Sequence, residues 1–158
     1  MLSMHVTAKA DYAVRAILEL ADSSQSAPRK VDQIAKAQAI PVSFLENILT
    51  QLRSGGIVRS QRGPEGGYWL AVPADEISLA DIIRSVEGPL VGVRGNLPEE
   101  VEYEGPAIAL RDVWVALRAT MRIVLENVTV ADVASANLPQ DVIDLTRDES
   151  AWKARQLR

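Results

Sequence analysis

Apolar residues recur at helical spacing along most of this chain and switch to strand-like runs at one place. Ala10, Ala13, Val14, Ile17, Leu18 and Ala21 follow Thr7, a good capping residue, and predict a first helix over about 7–22. Ser23-Ser24-Gln25-Ser26 interrupts the pattern. A short helix from Asp32 to about Gln38 carries Ile34, Ala35 and Ala37, and Pro41 forbids its smooth continuation. The next helix opens on Ser43-Phe44-Leu45-Glu46, a capping-box signature in which Ser43 accepts from the backbone near Glu46 and Glu46 reaches back. Leu45, Ile48, Leu49 and Leu52 form its apolar stripe, and Gly55-Gly56 ends it. Two strand-like runs, Ile57 to Ser60 and Tyr68 to Val72, then flank a Gly/Pro-rich turn with Arg62 at its tip.

A short helix, a tight turn and a longer helix are the parts of a helix-turn-helix, and the hairpin adds a wing. After Pro73 a second capping box, Ser78-Leu79-Ala80-Asp81, starts a short helix that Gly88-Pro89 stops. Residues 90–106 lack sustained periodicity and carry the acidic run Glu99 to Glu104. From Ala107 to Asn127, Leu110, Val113, Trp114, Leu117, Met121 and Val124 keep helical spacing, with Ile108, Val115, Ile123 and Leu125 adding apolar surface elsewhere on the helix. A helix of about 21 residues with apolar positions on more than one side needs two partners, and pairing with a second copy supplies the second. Those six residues are the expected dimerisation seam. Thr129 to Asp132 reads as another capped start, of a short helix near 130–136, and beyond Asn137 the chain is charged and weakly periodic, as a mobile tail would be. The expected architecture is mainly α with a small β-wing: a winged helix-turn-helix unit (1–74), a connecting helix, acidic loop and dimerisation helix (75–136), and a tail (137–158).

Composition changes this picture in two ways. The 158 residues include no cysteine, which removes disulfides and thiolate-ligated iron–sulfur or zinc sites. No segment approaches the roughly 18 consecutive apolar residues that span a bilayer, and the N-terminus has no basic-then-apolar pattern, so a cytoplasmic protein is expected. The net charge of −4 is unevenly distributed: residues 1–74 carry eight Lys/Arg against six Asp/Glu, whereas residues 75–158 carry nine against fifteen. The basic excess coincides with the wing. It is small, so binding to DNA depends on local placement of cations and on doubling through a dimer.

With Leu45, Ile48, Leu49 and Leu52 turned to the core, the helix from Ser43 presents Val42, Ser43, Phe44, Glu46, Asn47, Thr50 and Gln51 outward. Asn47 or Gln51 can pair with adenine, Glu46 can accept from cytosine, and Ser43 or Thr50 can bond phosphates. Phe44 either packs on the preceding turn or lies against a sugar or thymine methyl. Arg62, with Gly63 beside it, has the geometry of a minor-groove probe. Lys9 and Tyr12 either contact phosphates near the first helix's N-terminus or are a solvated Lys and a half-buried Tyr.

These elements together resemble the Rrf-two type of bacterial transcription factors, the group that includes the IscR, NsrR and CymR regulators. The resemblance spans about residues 4–134. It rests on Thr7-Ala8-Lys9-Ala10-Asp11-Tyr12-Ala13, Ile34-Ala35, Ser43-Phe44-Leu45-Glu46, Leu52-Arg53, Gly56-Ile57-Val58, Arg62-Gly63-Pro64-Glu65-Gly66-Gly67-Tyr68, Ile77-Ser78-Leu79 and Glu87-Gly88-Pro89. It implies a homodimer whose long helices cross and whose recognition helices read a palindromic operator. By position it implies Ser43, Phe44, Glu46 and Asn47 as major-groove readers, Arg62 with Gly63 in the minor groove, and Thr7, Lys9 and Tyr12 on the backbone. Phe44 stands where tyrosine is frequent and Asn47 where glutamine is, which implies a different target preference. Many members carry three cluster-binding cysteines between Leu90 and Pro106, and this chain has none there.

The expected function is therefore a sequence-specific DNA-binding regulator, a repressor, that does not sense through an iron–sulfur cluster. No cofactor is expected. The effector is open: a small molecule held between Trp114, Arg118 and the loop 90–106, or a protein partner. A protein–protein adaptor that binds a metabolic enzyme is the alternative, since the cluster-free CymR type binds one. An enzyme is disfavoured by the single histidine and the lack of a phosphate-loop pattern or a carboxylate pair on ordered elements. Glu99, Glu100, Glu102 and Glu104 could bind a hard cation, but a spacing of two along an irregular loop is undiagnostic and a solvated acidic loop is the favoured reading; His5 alone makes no metal site.

Overall fold

A computed structural model describes residues 4–155. The first three helices are α1 (Ala8–Glu19), α2 (Val31–Gln38) and α3 (Val42–Ser54). Thr7 caps α1 as expected, its hydroxyl accepting from the Ala10 N–H at 3.0 Å. The turn between α2 and α3 is Ala39-Ile40-Pro41. Ala39 takes the left-handed conformation (φ 51°), the Ile40 side chain is buried, and Pro41 sets the entry to α3. Ala10, Ala13, Ala16 and Ile17 of α1, Ile34 and Ala35 of α2, and Leu45, Ile48, Leu49 and Leu52 of α3 are the buried positions of the three helices. The expected α3 stripe is thus the buried one.

The capping box at Ser43–Glu46 does not form. Because Pro41 fixes φ and occupies the N-cap, the helix begins one residue earlier, at Val42, and no side chain caps its first turn. Ser43 and Glu46 lie inside the helix and exposed. The boxes at Ser78/Asp81 and Thr129/Asp132 do form, at the starts of α4 (Leu79–Glu87) and α6 (Val130–Ala134).

The hairpin pairs β1 (Val58–Gln61) with β2 (Gly67–Leu70) antiparallel, with Val58 opposite Leu70 and Arg59 opposite Trp69. A third segment joins it: Arg29 and Tyr68 exchange two backbone bonds of 2.8 Å, tying the stretch before α2 to the wing. Val58 is buried and Arg59 exposed, the alternation of a half-buried sheet.

The long helix α5 spans Leu110–Leu125, 16 residues, shorter than the expected 21 because Gly105-Pro106-Ala107 makes a separate 3₁₀ turn. The loop 90–106, expected to be irregular, is organised. Val93 and Asn96 exchange backbone bonds around Arg94 (φ 53°) and Gly95 (φ 82°), a type I′ turn, and Pro98 and Val101 are buried. Within the segment expected to be a mobile tail, α7 (Gln140–Leu145) forms with Val142 buried, and Asn127 donates to both oxygens of Asp141. Residues 156–158 of that segment lie outside the described residues.

Candidate nucleic-acid interface

The outward side of α3 exposes Val42, Ser43, Phe44, Glu46, Asn47, Thr50 and Arg53. Glu46, Thr50 and Arg53 stand at i, i+4 and i+7, one line along the helix, and Ser43, Asn47 and Thr50 make a second such line beside it. Phe44 is 63% exposed, so most of its ring faces away from the preceding turn. Glu46, released from capping, is free to accept hydrogen bonds. The Thr50 hydroxyl donates to the Glu46 carbonyl at 2.9 Å, which occupies its proton.

Gln51 differs from the expectation. It is half-buried and its Oε1 is buried with no hydrogen-bond partner, so the side chain turns into the protein instead of across the exposed face. Thr7 also differs: its hydroxyl accepts from Ala10 and donates to the Glu87 carboxylate, linking the start of α1 to the end of α4. Tyr12 is half-buried against the core, with the Arg15 guanidinium 5.0 Å from its ring centroid, and Lys9 is half-buried at the same end of α1.

The wing tip is built by backbone geometry. Gly63 sits at φ 105°, and the Gly66 N–H donates to the Gly63 carbonyl at 2.9 Å, closing a turn through Pro64 and Glu65. A Cβ on Gly66 would lie 2.2 Å from the Gln61 carbonyl oxygen, so only glycine fits. Arg62 belongs to this tip and is exposed. Among the described residues, no ion pair involves Arg53, Arg59 or Arg62. Helix face and wing tip therefore present hydrogen-bonding groups and unneutralised guanidinium groups from adjoining elements, the arrangement that reads base edges and phosphates.

Arg53 and Arg59 were absent from the expected site. Both had a local signal: Arg53 is seven residues beyond Glu46 on the exposed line, and Arg59 alternates with buried Val58. Their proximity to one another is a tertiary fact.

Away from this face, Trp114 and Arg118 bond to the loop that was expected to leave a pocket beside them. Trp114 Nε1 donates to Tyr103 Oη at 3.0 Å, and Arg118 Nη1 pairs with Glu99 Oε2 at 2.5 Å, the Arg118 side chain being only 14% exposed. Arg94 stands 5.8 Å from the Tyr103 ring centroid. A backbone N–H bond and the Arg118 guanidinium together hold the Glu99 carboxyl below its usual range. Glu100 caps its own turn by accepting from the Leu97 N–H at 2.9 Å. With no thiolate in the chain, this loop does not fit a cysteine-ligated iron–sulfur cluster, and among the described residues no group of three His, Asp or Glu side chains could hold a metal ion.

In α5 no residue is buried. Val113 is 53% exposed, while Leu110, Trp114, Leu117, Met121 and Val124 are half-buried. Ile108 (71%) and Ile123 (58%), outside the expected seam, are more exposed than any of the six. No helix is long and apolar enough to cross a membrane among the described residues.

The family described as "Rrf2: Iron-dependent Transcriptional regulator" matches residues 6–136. A Mycobacterium tuberculosis protein whose name places it among HTH-type transcriptional regulators is 51% identical over 151 residues, 96% of this chain and 94% of its own. The HTH-type transcriptional regulator CymR of Bacillus subtilis is 35% identical over 132 residues, 84% of this chain and 91% of its own. The structure of B. subtilis CymR, described as its global cysteine regulator, superposes with a TM-score of 0.69 at 34% identity, covering 86% of this chain and 98% of that one. The exposed α3 face, the glycine-built wing and these likenesses agree: this chain belongs to the Rrf2 family of winged helix-turn-helix transcriptional regulators.

Proposed function

We propose that the chain acts in the cytoplasm as a homodimeric repressor that reads a palindromic operator and takes no cysteine-ligated iron–sulfur cluster as its sensor. The carrying observation is α5. None of the sixteen residues of this amphipathic helix is fully buried in a single copy, and Val113, Ala116, Thr120 and Ile123 form one exposed line along it. A second copy covers that line at the cost of no polar group that water must solvate, since Thr120 already donates to the Ala116 carbonyl at 3.0 Å. Two-fold pairing sets two α3 faces for two half-sites, which is what a palindrome requires.

On this reading Ser43, Phe44, Glu46 and Asn47 contact base edges in the major groove, Arg62 with Gly63 enters the minor groove, and Lys9 and Tyr12 approach the backbone. The adaptor alternative gains nothing from the relatives, which are named as transcriptional regulators. The test joins three measurements. Sedimentation should give twice the chain mass. Titration against a duplex selected by the protein from a randomised pool should give tighter binding than a scrambled duplex at physiological salt. A reporter driven through that site should fall when the protein is present. Equal affinity for both duplexes refutes DNA reading, a monomer refutes the pairing, and a rising reporter makes it an activator.

A further inference from the structure

A surface groove lies between the C-terminal end of α3 and the hairpin, reaching to Val58, Ala71 and Val72 at the hairpin's root and to Gln25. It has a volume of 610 Å³ and includes Arg53, Gly56, Arg59, Ser60 and Trp69 in its walls. Two arginines line it and no carboxylate does, in a chain whose net charge is −4. Among the described residues, neither guanidinium has an ion-pair partner. Arg53 Nη1 donates to Ser60 Oγ at 3.0 Å, which fixes its position across the gap between helix and strand. Arg59 projects from β1 directly opposite Trp69 in the strand register.

The groove's position decides what it fits. Arg53 continues the Glu46–Thr50 line of α3, so one wall is the end of the base-reading face. The other wall is the strand that leads, three residues on from Arg59, to Arg62 at the wing tip. A helix in the major groove and a wing in the adjacent minor groove are separated on the duplex by one sugar–phosphate strand, and that strand must pass between them. We infer that this groove seats the strand, with Arg53 and Arg59 as its phosphate ligands and Trp69 as an apolar floor beneath a deoxyribose. Backbone contacts of this kind position a protein in register without reading sequence, and each releases condensed counterions. Arg53, Arg59 and Trp69 would then set how firmly the helix and wing are seated, while Phe44, Asn47 and Arg62 set where.

This inference rests on the DNA-reading function, and the experiment separates the two. Wild type, Arg59→Ala, Arg53→Ala and Arg59→Lys are titrated with the pool-selected duplex and with its scrambled counterpart at several salt concentrations. Each Ala variant should weaken both duplexes by a similar factor, on the order of threefold to tenfold, and flatten log K against log salt by about 0.9 for every phosphate that is no longer neutralised. Arg59→Lys should keep most of the slope. A duplex with neutral methylphosphonates in the strand between the two grooves should bind wild type more weakly, while a protein carrying both Arg53→Ala and Arg59→Ala should be affected little. Arg59 is exposed, and among the described residues its side chain makes no ion pair, so its variant tests the idea even where Arg53→Ala loosens the hairpin. If wild type prefers the selected duplex but Arg59→Ala and Arg53→Ala leave affinity and slope unchanged, the groove is not a phosphate seat. If wild type binds neither duplex, the DNA-reading function falls and this inference with it.

Discussion

Replacing Gly66 with alanine isolates the wing from the rest of the fold. The added Cβ would lie 2.2 Å from the Gln61 carbonyl oxygen, 2.8 Å from the Arg62 carbonyl carbon and 2.9 Å from that of Gln61. All three are backbone atoms, which cannot rotate away as a side chain would. The overlap is about 1 Å inside normal contact distance, so the turn closed by the Gly66–Gly63 bond must reshape. Overpacking of this size costs about 1–3 kcal/mol when the native shape is enforced. In the free protein the hairpin tip relaxes and recovers much of that, so the melting temperature should fall by no more than a few degrees. If Arg62 enters the minor groove as proposed, binding must restore the native tip, and the strain reappears as lost affinity of roughly 5- to 150-fold per protomer, taking about 1.4 kcal/mol as tenfold. Fluorescence anisotropy with the selected duplex, alongside thermal melting, measures both quantities. Glu65→Ala is the control: it changes the neighbouring tip residue, adds no atoms and removes a negative charge, so it should bind at least as tightly as wild type. A Gly66→Ala protein that binds like wild type would refute the claim that this turn shape holds Arg62 for DNA.

Four further outcomes rest on other parts of the molecule. Phe44→Ala should alter base preference in a pool selection while leaving the melting temperature nearly unchanged, because the ring is exposed and supports nothing in the free protein. Ile123→Glu should convert dimer to monomer by sedimentation and should weaken operator binding with it, whereas Leu49→Ala, in a fully buried position, should cost about 2–5 kcal/mol in denaturant unfolding. Glu99 has a folded pKa below its ordinary value of 4.5, so its contribution to stability is present above that value and is lost as pH falls through the folded one. The melting curves of wild type and Glu99→Gln should therefore differ near neutrality and converge in acid.

What could be read from the chain, and what could not, divides by distance along it. The buried stripe of α3, the caps at Thr7, Ser78 and Thr129, and the glycine stop after Ser54 are local patterns, and each stands where the sequence put it. The box at Ser43 failed because a neighbour overrode it: Pro41 claims the N-cap and shifts the start. Gln51 looked outward by helical periodicity, yet at the edge of that face its amide oxygen is buried. The loop 90–106 read as structureless because its turn places Arg94, a non-glycine, at positive φ and because part of its order comes from Arg118 and Trp114, residues of a helix that follows it. The groove at Arg53 and Arg59 is of the same kind, since Arg53 meets Ser60 only once the chain turns back at Gly55-Gly56 and lays β1 against the end of α3.

The paired bonds between Arg29 and Tyr68 give the wing an unusual division of labour. With β2 stitched to the segment before α2 at its tip-proximal end, the stretch that no neighbouring strand holds is 62–66. At about 1–2 kcal/mol for each residue fixed, this anchor and the Gly66–Gly63 bond leave few positions that can lose entropy on association. In amide exchange, the Arg29 and Tyr68 protons should open together and slowly, and within the tip the bonded Gly66 proton should exchange more slowly than its neighbours.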